Sequence, residues 1–180
     1  MAKAERCDRS FARLKRDYAS QFMQIDAWPQ KARLTQVTDK LYLGSVGTAH
    51  NFRVLKALNV THILTVCDCL LPKFPEVSPR QHFTYKVVAV SDSADADISA
   101  YFDESIAFIQ DSLNRGGVVL VHCFAGVSRS ATVVAAFLIA SEHIDADQAL
   151  ALLRQLRSWV NPNAGFVSQL HDFYLKLDVD

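Results

Sequence analysis

Short apolar runs alternate with amphipathic segments along most of this chain. Three runs rich in β-branched or aromatic residues are typical of strands: residues 62–66, 85–90 and 118–121. Four segments have the apolar spacing or the apolar length that predicts helices: residues 102–113, 131–140, 149–156 and 166–177. Strands that alternate with helices predict an α/β fold, with a central, mostly parallel mixed sheet of about five strands flanked by helices.

Two shorter patterns refine this expectation. Residues 36–44 predict a hairpin that turns around Asp39-Lys40. In the helix at 149–156, we expect Leu152, Leu153 and Leu156 to belong to the buried stripe. Because ligands bind beyond the carboxyl ends of the strands in such folds, we expect a ligand-binding site in the segment after residue 121.

The first 30 residues differ from the rest and predict an N-terminal extension, followed by one domain at residues 31–180. Residues 5–25 predict a helix, since five bulky residues recur three or four positions apart: Phe11, Leu14, Tyr18, Phe22 and Ile25. Residues 1–25 carry six basic and three acidic side chains. Such a basic amphipathic helix can bind calmodulin, another partner helix or an acidic lipid surface. The alternative is a helix packed on its own domain or on a second copy in a homodimer.

Composition and charge limit the classes of protein that remain. The 180 residues suit one domain with a substantial core. The 19 basic and 19 acidic side chains cancel, which predicts no nucleic-acid partner. No apolar window is long enough to predict a membrane span. Four cysteines are too few for a disulfide framework, so we expect a cytoplasmic or nuclear protein.

The most informative segment runs from His122 to Ser130. Its apolar neighbours predict a buried strand before it and a buried helix after it, so its amides lie at a helix N-terminus, where anions bind. Cys123 and Arg129 lie six positions apart, with Gly126 between them. Amide dipoles and a nearby guanidinium favour the thiolate form of such a cysteine. The segment therefore predicts a nucleophile inside a phosphate-binding loop.

Cleavage of a phosphate ester would give each residue of this loop a task. Cys123 supplies the thiolate nucleophile, and Arg129 binds two phosphate oxygens. Ser130 hydrogen-bonds the sulfur and helps it leave in the second step, whereas His122 orients the loop without transferring a proton. The predicted substrate-binding groups belong to Phe124, Ala125, Gly126, Val127, Ser128 and Arg129. Because the thiolate and Arg129 would take the roles that two metal ions fill in metal-dependent phosphatases, no metal or cofactor is expected.

The pattern Cys-x-Ala-Gly-x-Ser-Arg-Ser at residues 123–130 resembles the dual-specificity signature of the cysteine-dependent protein tyrosine phosphatases. Other recurring segments of that family resemble parts of this chain in the same order: residues 41–45, 60–64, 101–102 and 161–166. The resemblance covers roughly residues 35–177 and is to the small, atypical, single-domain members.

That resemblance implies a protein tyrosine phosphatase-like fold and a dual-specificity phosphatase catalytic domain at residues 31–180. It also implies hydrolysis of phosphate esters on phosphotyrosine and phosphoserine/phosphothreonine through a cysteinyl-phosphate intermediate. The partner would be a phosphoprotein substrate, and a MAP kinase is one candidate.

The same resemblance implies a general acid on a loop about thirty residues before the nucleophile. Asp92 lies 31 positions before Cys123 and closely follows the predicted strand at 85–90. We expect Asp92 to protonate the leaving oxygen and later to activate water. Asp95 and Asp97 share the loop, and we interpret them as solvated carboxylates.

Other functions stay open at this point. The loop carries no lysine, which argues against a phosphoinositide substrate, and Ser128 stands where glucan phosphatases have glycine. A phosphoinositide and a phosphorylated glucan remain the two alternative, non-protein substrates. A phosphate-binding or redox-responsive interaction module without turnover is the other alternative, although Asp92, Cys123, Arg129 and Ser130 fill each expected catalytic position.

Cys67 directly follows the predicted strand at 62–66. Some relatives carry a cysteine at a similar place that forms a disulfide with the nucleophile under oxidation, so the resemblance makes Cys67 a candidate redox partner of Cys123. Such a bond would protect the nucleophile from irreversible oxidation. The alternative interpretation of Cys67 is a small buried residue at the end of a strand.

Overall fold

The computed structural model describes residues 34–68, 70, 72, 74 and 83–177. Within these residues the chain forms five strands: β1 (Thr35–Gln36), β2 (Leu41–Ser45), β3 (His62–Val66), β4 (Thr84–Val88) and β5 (Val119–Cys123). The described residues also form six α-helices: α1 (Val46–Ala49), α2 (Phe52–Ala57), α3 (Phe102–Asn114), α4 (Arg129–Glu142), α5 (Ala146–Leu156) and α6 (Ala164–Leu177). A short 3₁₀ turn, Ser99–Tyr101, precedes α3.

The strands form one mixed sheet in the order β1-β2-β5-β3-β4. Only β1 is antiparallel to its neighbour, and the hairpin it forms with β2 confirms the turn predicted around Asp39-Lys40. The pairs β2–β5, β5–β3 and β3–β4 are parallel. The structure thus confirms the predicted α/β fold with a mostly parallel sheet of five strands.

Each face of the sheet has its own apolar core. Helices α3 to α6 cover one face, where their side chains pack on residues such as Leu43, Leu64 and Val121. The opposite face buries Tyr42 and Leu120 under the segment that contains α1 and α2. Because β5 lies between two parallel neighbours and under helices on one face, all five of its residues are buried.

The central helix α4 follows β5 and packs against it. Residues 129–139 of this helix are all buried, which explains the nearly unbroken apolar run in the sequence. A helix so enclosed cannot shift without disturbing both the sheet and its helical neighbours. The loop between β5 and α4 is therefore held at both ends by the core.

The predicted stripe of α5 is wrong at two positions. Leu152 and Leu156 are 38% and 44% exposed, whereas Leu153 is fully buried. The helix begins at Ala146, and its buried residues recur at the helical spacing from that start: Ala146, Ala149, Leu150 and Leu153. The buried stripe has the expected spacing but lies three residues earlier in the chain, so the buried face is rotated relative to the prediction.

The predicted N-terminal helix at residues 5–25 lies outside the described residues, and the boundary between an extension at 1–30 and a domain at 31–180 stays a prediction. No helix among the described residues is long and apolar enough to cross a membrane.

Candidate active site

The loop at residues 124–128 connects the end of β5 to the start of α4. Cys123 is the last residue of β5, and its side chain is 1% exposed. Strand β5 is the central strand of the sheet, and the loop leaves its carboxyl end. Ligands bind at this edge of the sheet in α/β folds. Helix α4 begins at Arg129, so its N-terminal end, where backbone N–H groups can bind anions, directly follows the loop.

Two donors reach the sulfur of Cys123. The backbone N–H of Gly126 donates to Sγ at 3.2 Å, and the hydroxyl of Ser130 donates at 3.1 Å. Gly126 has a φ of +68°, and a Cβ at this position would lie 2.5 Å from the carbonyl oxygen of Gly44. Only glycine satisfies both the backbone angle and the close approach to β2. The two hydrogen bonds stabilise a negative charge on the sulfur.

Arg129 directly follows the loop at residues 124–128 and is largely buried, with a side chain that is 10% exposed. Its Nη1 donates to the sulfur of Cys67 at 3.0 Å and to the carbonyl of Val90 at 3.4 Å. Two carboxylates lie 3.6 Å from the guanidinium, Asp68 at Nη1 and Asp92 at Nε. The ends of β3 and β4 thus hold the arginine in place, and its planar fork suits two oxygens of a phosphate group.

Asp92 lies on the loop after β4, and three side chains fix its position. Its Oδ1 accepts hydrogen bonds from the hydroxyl of Ser128 at 2.7 Å and from Nδ2 of Asn163 at 3.0 Å. Its Oδ2 faces Arg129. The side chain remains 36% exposed, so it can reach a substrate that enters from solvent. The structure therefore brings the predicted acid to the edge of the phosphate loop.

The other two aspartates of this loop have different environments. Asp97 accepts hydrogen bonds from the hydroxyl of Ser99 at 2.8 Å and from the amide of Ala100 at 3.1 Å. These bonds hold the pKa of Asp97 below its ordinary value, and the residue anchors the 3₁₀ turn. Asp95 is exposed to solvent. The contacts therefore set Asp92 apart from both neighbours.

His122 is buried directly before Cys123. Its Nδ1 donates to the carbonyl of Cys123 at 3.3 Å, because a carbonyl oxygen can only accept. In the neutral ring Nε2 then accepts from the hydroxyl of Thr65 at 2.8 Å. Burial lowers the pKa of His122 to about 4, so the ring is neutral near pH 7. The Thr65 contact ties β5 to β3, and the orienting role of His122 stays a prediction.

Three residues of the site were not assigned by the sequence. Asn163 bonds Asp92 and also accepts from the amide of Phe166, which fixes the start of α6. A Cβ on Gly165 would meet the backbone of Ala94, which lies on the loop of Asp92. Both residues fall within the segment 161–166 that carried part of the family resemblance, and that recurrence was the one signal available.

The third unassigned residue is Arg157, which follows α5. It is 1% exposed, and its Nε donates to the carbonyl of Gly126 at 2.8 Å. The sequence signal was slight: an arginine occurs where the apolar spacing of α5 places a buried position.

Cys67 lies next to the site, and neither Cys67 nor Cys123 forms a disulfide bond in this structure. Thr65 of β3 pairs with His122 of β5. Cys67 follows Thr65 by two residues and Cys123 follows His122 by one, so both cysteines lie at the same end of the sheet. The sulfur of Cys67 is in contact with Arg129. The predicted disulfide stays a prediction. Among the described residues, no group of three His, Cys, Asp or Glu side chains could hold a metal ion.

A buried cysteine within an amide loop, an arginine and a carboxylate at its rim are the arrangement of cysteine-dependent phosphatases, which transfer a phosphoryl group to sulfur. The family model described as "Dual specificity phosphatase, catalytic domain" matches residues 41–176. The chain therefore belongs to the dual specificity phosphatase family.

Two curated relatives come from Arabidopsis thaliana. The chain is 47% identical to dual specificity protein phosphatase 1 over 77% of its own length and 68% of the relative's length. It is 42% identical to dual specificity protein phosphatase 1B, over 78% and 81% of the two lengths. The crystal structure of human tyrosine phosphatase-like serine/threonine/tyrosine-interacting protein is similar with a TM-score of 0.74 and 32% identity. That comparison covers 83% of this chain and 99% of the other.

These findings confirm the predictions of family, fold and enzyme class. The chain is a phosphatase with a protein tyrosine phosphatase-like fold. Dephosphorylation of phosphotyrosine and phosphoserine/phosphothreonine is confirmed at the level of the family, and a binding module without turnover is not favoured.

Proposed function

We propose that this protein hydrolyses phosphate esters on phosphoproteins, with Cys123 as the nucleophile and a cysteinyl-phosphate as the intermediate. The observation that carries the proposal is the pair of hydrogen bonds that Gly126 and Ser130 donate to the Cys123 sulfur. Both donors stabilise the thiolate, which is the reactive form of cysteine. The phosphate of the substrate binds to the amides of residues 124–129 and to the guanidinium of Arg129.

In the first step the thiolate of Cys123 attacks phosphorus, and the bond from phosphorus to the substrate oxygen breaks. Asp92 enters this step as the carboxylic acid and gives its proton to the leaving oxygen. Its position at the rim of the loop, fixed by Ser128 and Asn163, supports this role. Arg129 stabilises the charge that spreads over the phosphoryl oxygens.

In the second step Asp92, now a carboxylate, takes a proton from water while the water oxygen attacks phosphorus. The bond between sulfur and phosphorus breaks, and inorganic phosphate is released. Ser130 donates to the sulfur at 3.1 Å and stabilises the thiolate as it leaves. His122 takes no part in proton transfer, since it is buried and neutral.

The content of the loop supports a phosphoprotein substrate. Its side chains add no positive charge besides Arg129: Phe124, Ala125, Val127 and Ser128 are all uncharged. A highly charged headgroup would benefit from additional cations. A MAP kinase is one candidate substrate within this class.

Further proposals concern partners and location. A helix formed by residues 5–25 would bind calmodulin or another partner helix, or would mediate a homodimer. A cytoplasmic or nuclear location fits the few cysteines, of which Cys67 and Cys123 are buried and form no disulfide bond. Removal of residues 1–30 separates the roles of the extension. Lost partner binding with an unchanged melting temperature supports recruitment, whereas a lower melting temperature supports packing on the domain.

Hydrolysis tests the proposed function. The wild type should release phosphate from p-nitrophenyl phosphate and from phosphotyrosine and phosphothreonine peptides, and vanadate should inhibit all three reactions. Cys123→Ser should abolish them, because a serine hydroxyl at this position lacks an adjacent base to activate it. Absence of turnover by the wild type across pH 5 to 8 would refute the proposal.

A further inference from the structure

Arg157 is a buried cation that the mechanism above does not use. It is among the largest fully buried side chains of the described residues. Its Nε donates to the carbonyl of Gly126 at 2.8 Å, and its Nη2 donates to the carbonyl of Ala125 at 3.3 Å. On the outer side, Nη1 donates to the hydroxyl of Thr35 at 3.2 Å, and the guanidinium lies 4.8 Å from the centre of the Trp159 ring.

The two carbonyls belong to consecutive peptide groups of the phosphate loop. A trans peptide group is planar, and its carbonyl and N–H point in opposite directions. When Arg157 binds the carbonyls of Ala125 and Gly126, the N–H groups of Gly126 and Val127 must point away from it. The N–H of Gly126 does so and reaches the sulfur of Cys123 at 3.2 Å. One side chain therefore sets the direction of two amides.

The fit around this arginine is close. A Cβ on Gly126 would lie 2.6 Å from Nη2 of Arg157. The guanidinium occupies the space directly behind the loop, and its five donors in a rigid fork can hold two neighbouring carbonyls at once. Lysine is a point charge on a flexible stem and cannot copy that grip.

The charge of Arg157 has a second effect. Burial lowers the pKa of Arg157 to about 10, and the charge of Cys123 opposes this shift. The guanidinium is therefore still charged near pH 7. By the reciprocity of a charge–charge interaction, the cation favours a negative charge in the loop. A buried arginine that served packing alone would be replaced by an apolar side chain at little or no cost in stability.

We propose that Arg157 is a positioning residue that holds the amides of Gly126 and Val127 toward the bound phosphate. It does so from behind the loop, through the two carbonyls, and does not touch the substrate. The inference rests on the proposed function of the Cys123 loop. It predicts that loss of Arg157 weakens the binding of oxyanions as well as turnover, because the amides lose their fixed direction.

The test compares Arg157→Met and Arg157→Lys with Arg154→Met. Arg154 lies one turn earlier on α5 and donates to the carbonyl of Val160, so its loss removes a guanidinium that does not reach the loop. Orthovanadate affinity is measured by calorimetry, and kcat and KM are measured with p-nitrophenyl phosphate, all well below each melting temperature. Arg157→Met and Arg157→Lys should both bind vanadate at least about tenfold more weakly and lose kcat/KM, whereas Arg154→Met should match the wild type.

Wild-type vanadate affinity in a folded Arg157→Met variant would overturn the proposal. If Arg157→Met does not fold, Arg157→Lys decides: retained affinity overturns the proposal, and weakened affinity supports it. Because vanadate binding requires no turnover, its result in the variants is read independently of hydrolysis. A wild type that binds vanadate but hydrolyses nothing would contradict the proposed function and leave the role of Arg157 intact.

Discussion

The hydroxyl of Ser128 donates a 2.7 Å hydrogen bond to Oδ1 of Asp92, although the two residues are 36 positions apart in the chain. Ser128 belongs to the phosphate loop, and Asp92 belongs to the loop after β4. The bond joins the loop that follows Cys123 to the loop that carries Asp92. A short charge-assisted bond of this kind holds the two loops together.

Replacement of Asp92 by asparagine removes the acid but keeps an acceptor for Ser128. We expect kcat to fall by about 10²- to 10³-fold for alkyl phosphates and phosphoserine peptides, whose leaving groups need a proton. The loss should be much smaller for aryl phosphates with acidic leaving groups. Steady-state kinetics over a series of leaving groups measures this difference.

Asp95→Asn is the matched control, since Asp95 is exposed on the same loop. Its kinetics should equal those of the wild type. An equal loss for all leaving groups in Asp92→Asn would contradict the role of Asp92 as proton donor.

The stability of the protein should fall as the pH decreases from about 6.5 to about 4, in part because of His122. Burial lowers the pKa of His122 from 6.5 to about 4. In this pH window the unfolded chain binds a proton on His122 that the folded chain does not, so unfolding becomes more favourable as the pH falls. The effect disappears well above pH 6.5 and grows to a few kcal/mol below pH 4, since each pKa unit corresponds to about 1.4 kcal/mol.

Urea unfolding at a series of pH values measures this dependence. In His122→Gln the slope between pH 6.5 and pH 4 should be smaller, because glutamine does not titrate. If that variant does not fold, the NMR titration of the His122 ring in the wild type replaces it. A His122 ring that titrates near 6.5 would contradict the account.

Gly165→Ala should impair catalysis without a change in the phosphate loop itself. The added Cβ would collide with the backbone of Ala94 and push away the loop that carries Asp92. We expect kcat for phosphoserine peptides to fall by roughly tenfold or more, as for other displacements of a catalytic group.

Gly116→Ala is the control for a general cost of replacing glycine. Gly116 has a φ of +80°, but nothing lies within 4 Å of a Cβ there. This variant should lose about 1 kcal/mol of stability and keep its kcat. Equal kcat values for Gly165→Ala and the wild type would show that the contact with Ala94 does not position Asp92.

Oxidation tests the role of Cys67. Peroxide would convert the Cys123 thiolate to a sulfenic acid, and attack by the Cys67 thiol would form the disulfide and release water. We expect peptide mapping to find a Cys67–Cys123 crosslink, and we expect thiol reductant to restore activity. In Cys67→Ser, recovery of activity should be incomplete after the same treatment. Absence of the crosslink in the wild type would leave Cys67 as a buried contact of Arg129.

The order of strands and helices could be predicted from the sequence because the buried segments are long and regular. The apolar run before Cys123 and the one after Arg129 correspond to β5 and α4, which are buried along nearly their whole length. The buried face of α5 could not be predicted, because its exposed face also carries the apolar side chains of Leu152 and Leu156.

The catalytic loop could be predicted because its chemistry is concentrated in residues 122–130. The residues that hold this loop and Asp92 in position could not be predicted, since they come from distant parts of the chain. Arg157, Asn163 and Gly165 act through contacts with a carbonyl, a carboxylate and a backbone segment. Such contacts arise from the tertiary arrangement and leave no periodic pattern in the sequence.

A trapped phosphoenzyme tests the central claim most directly. Ser130→Ala should slow the second step, because the leaving sulfur loses the hydroxyl that lies at 3.1 Å. Acid quench of this variant with a ³²P-labelled phosphopeptide should therefore find label on Cys123, in an amount close to one phosphate per enzyme. The label should be absent in Ser130→Ala combined with Cys123→Ser. Turnover without label on Cys123, or label on another residue, would contradict the account.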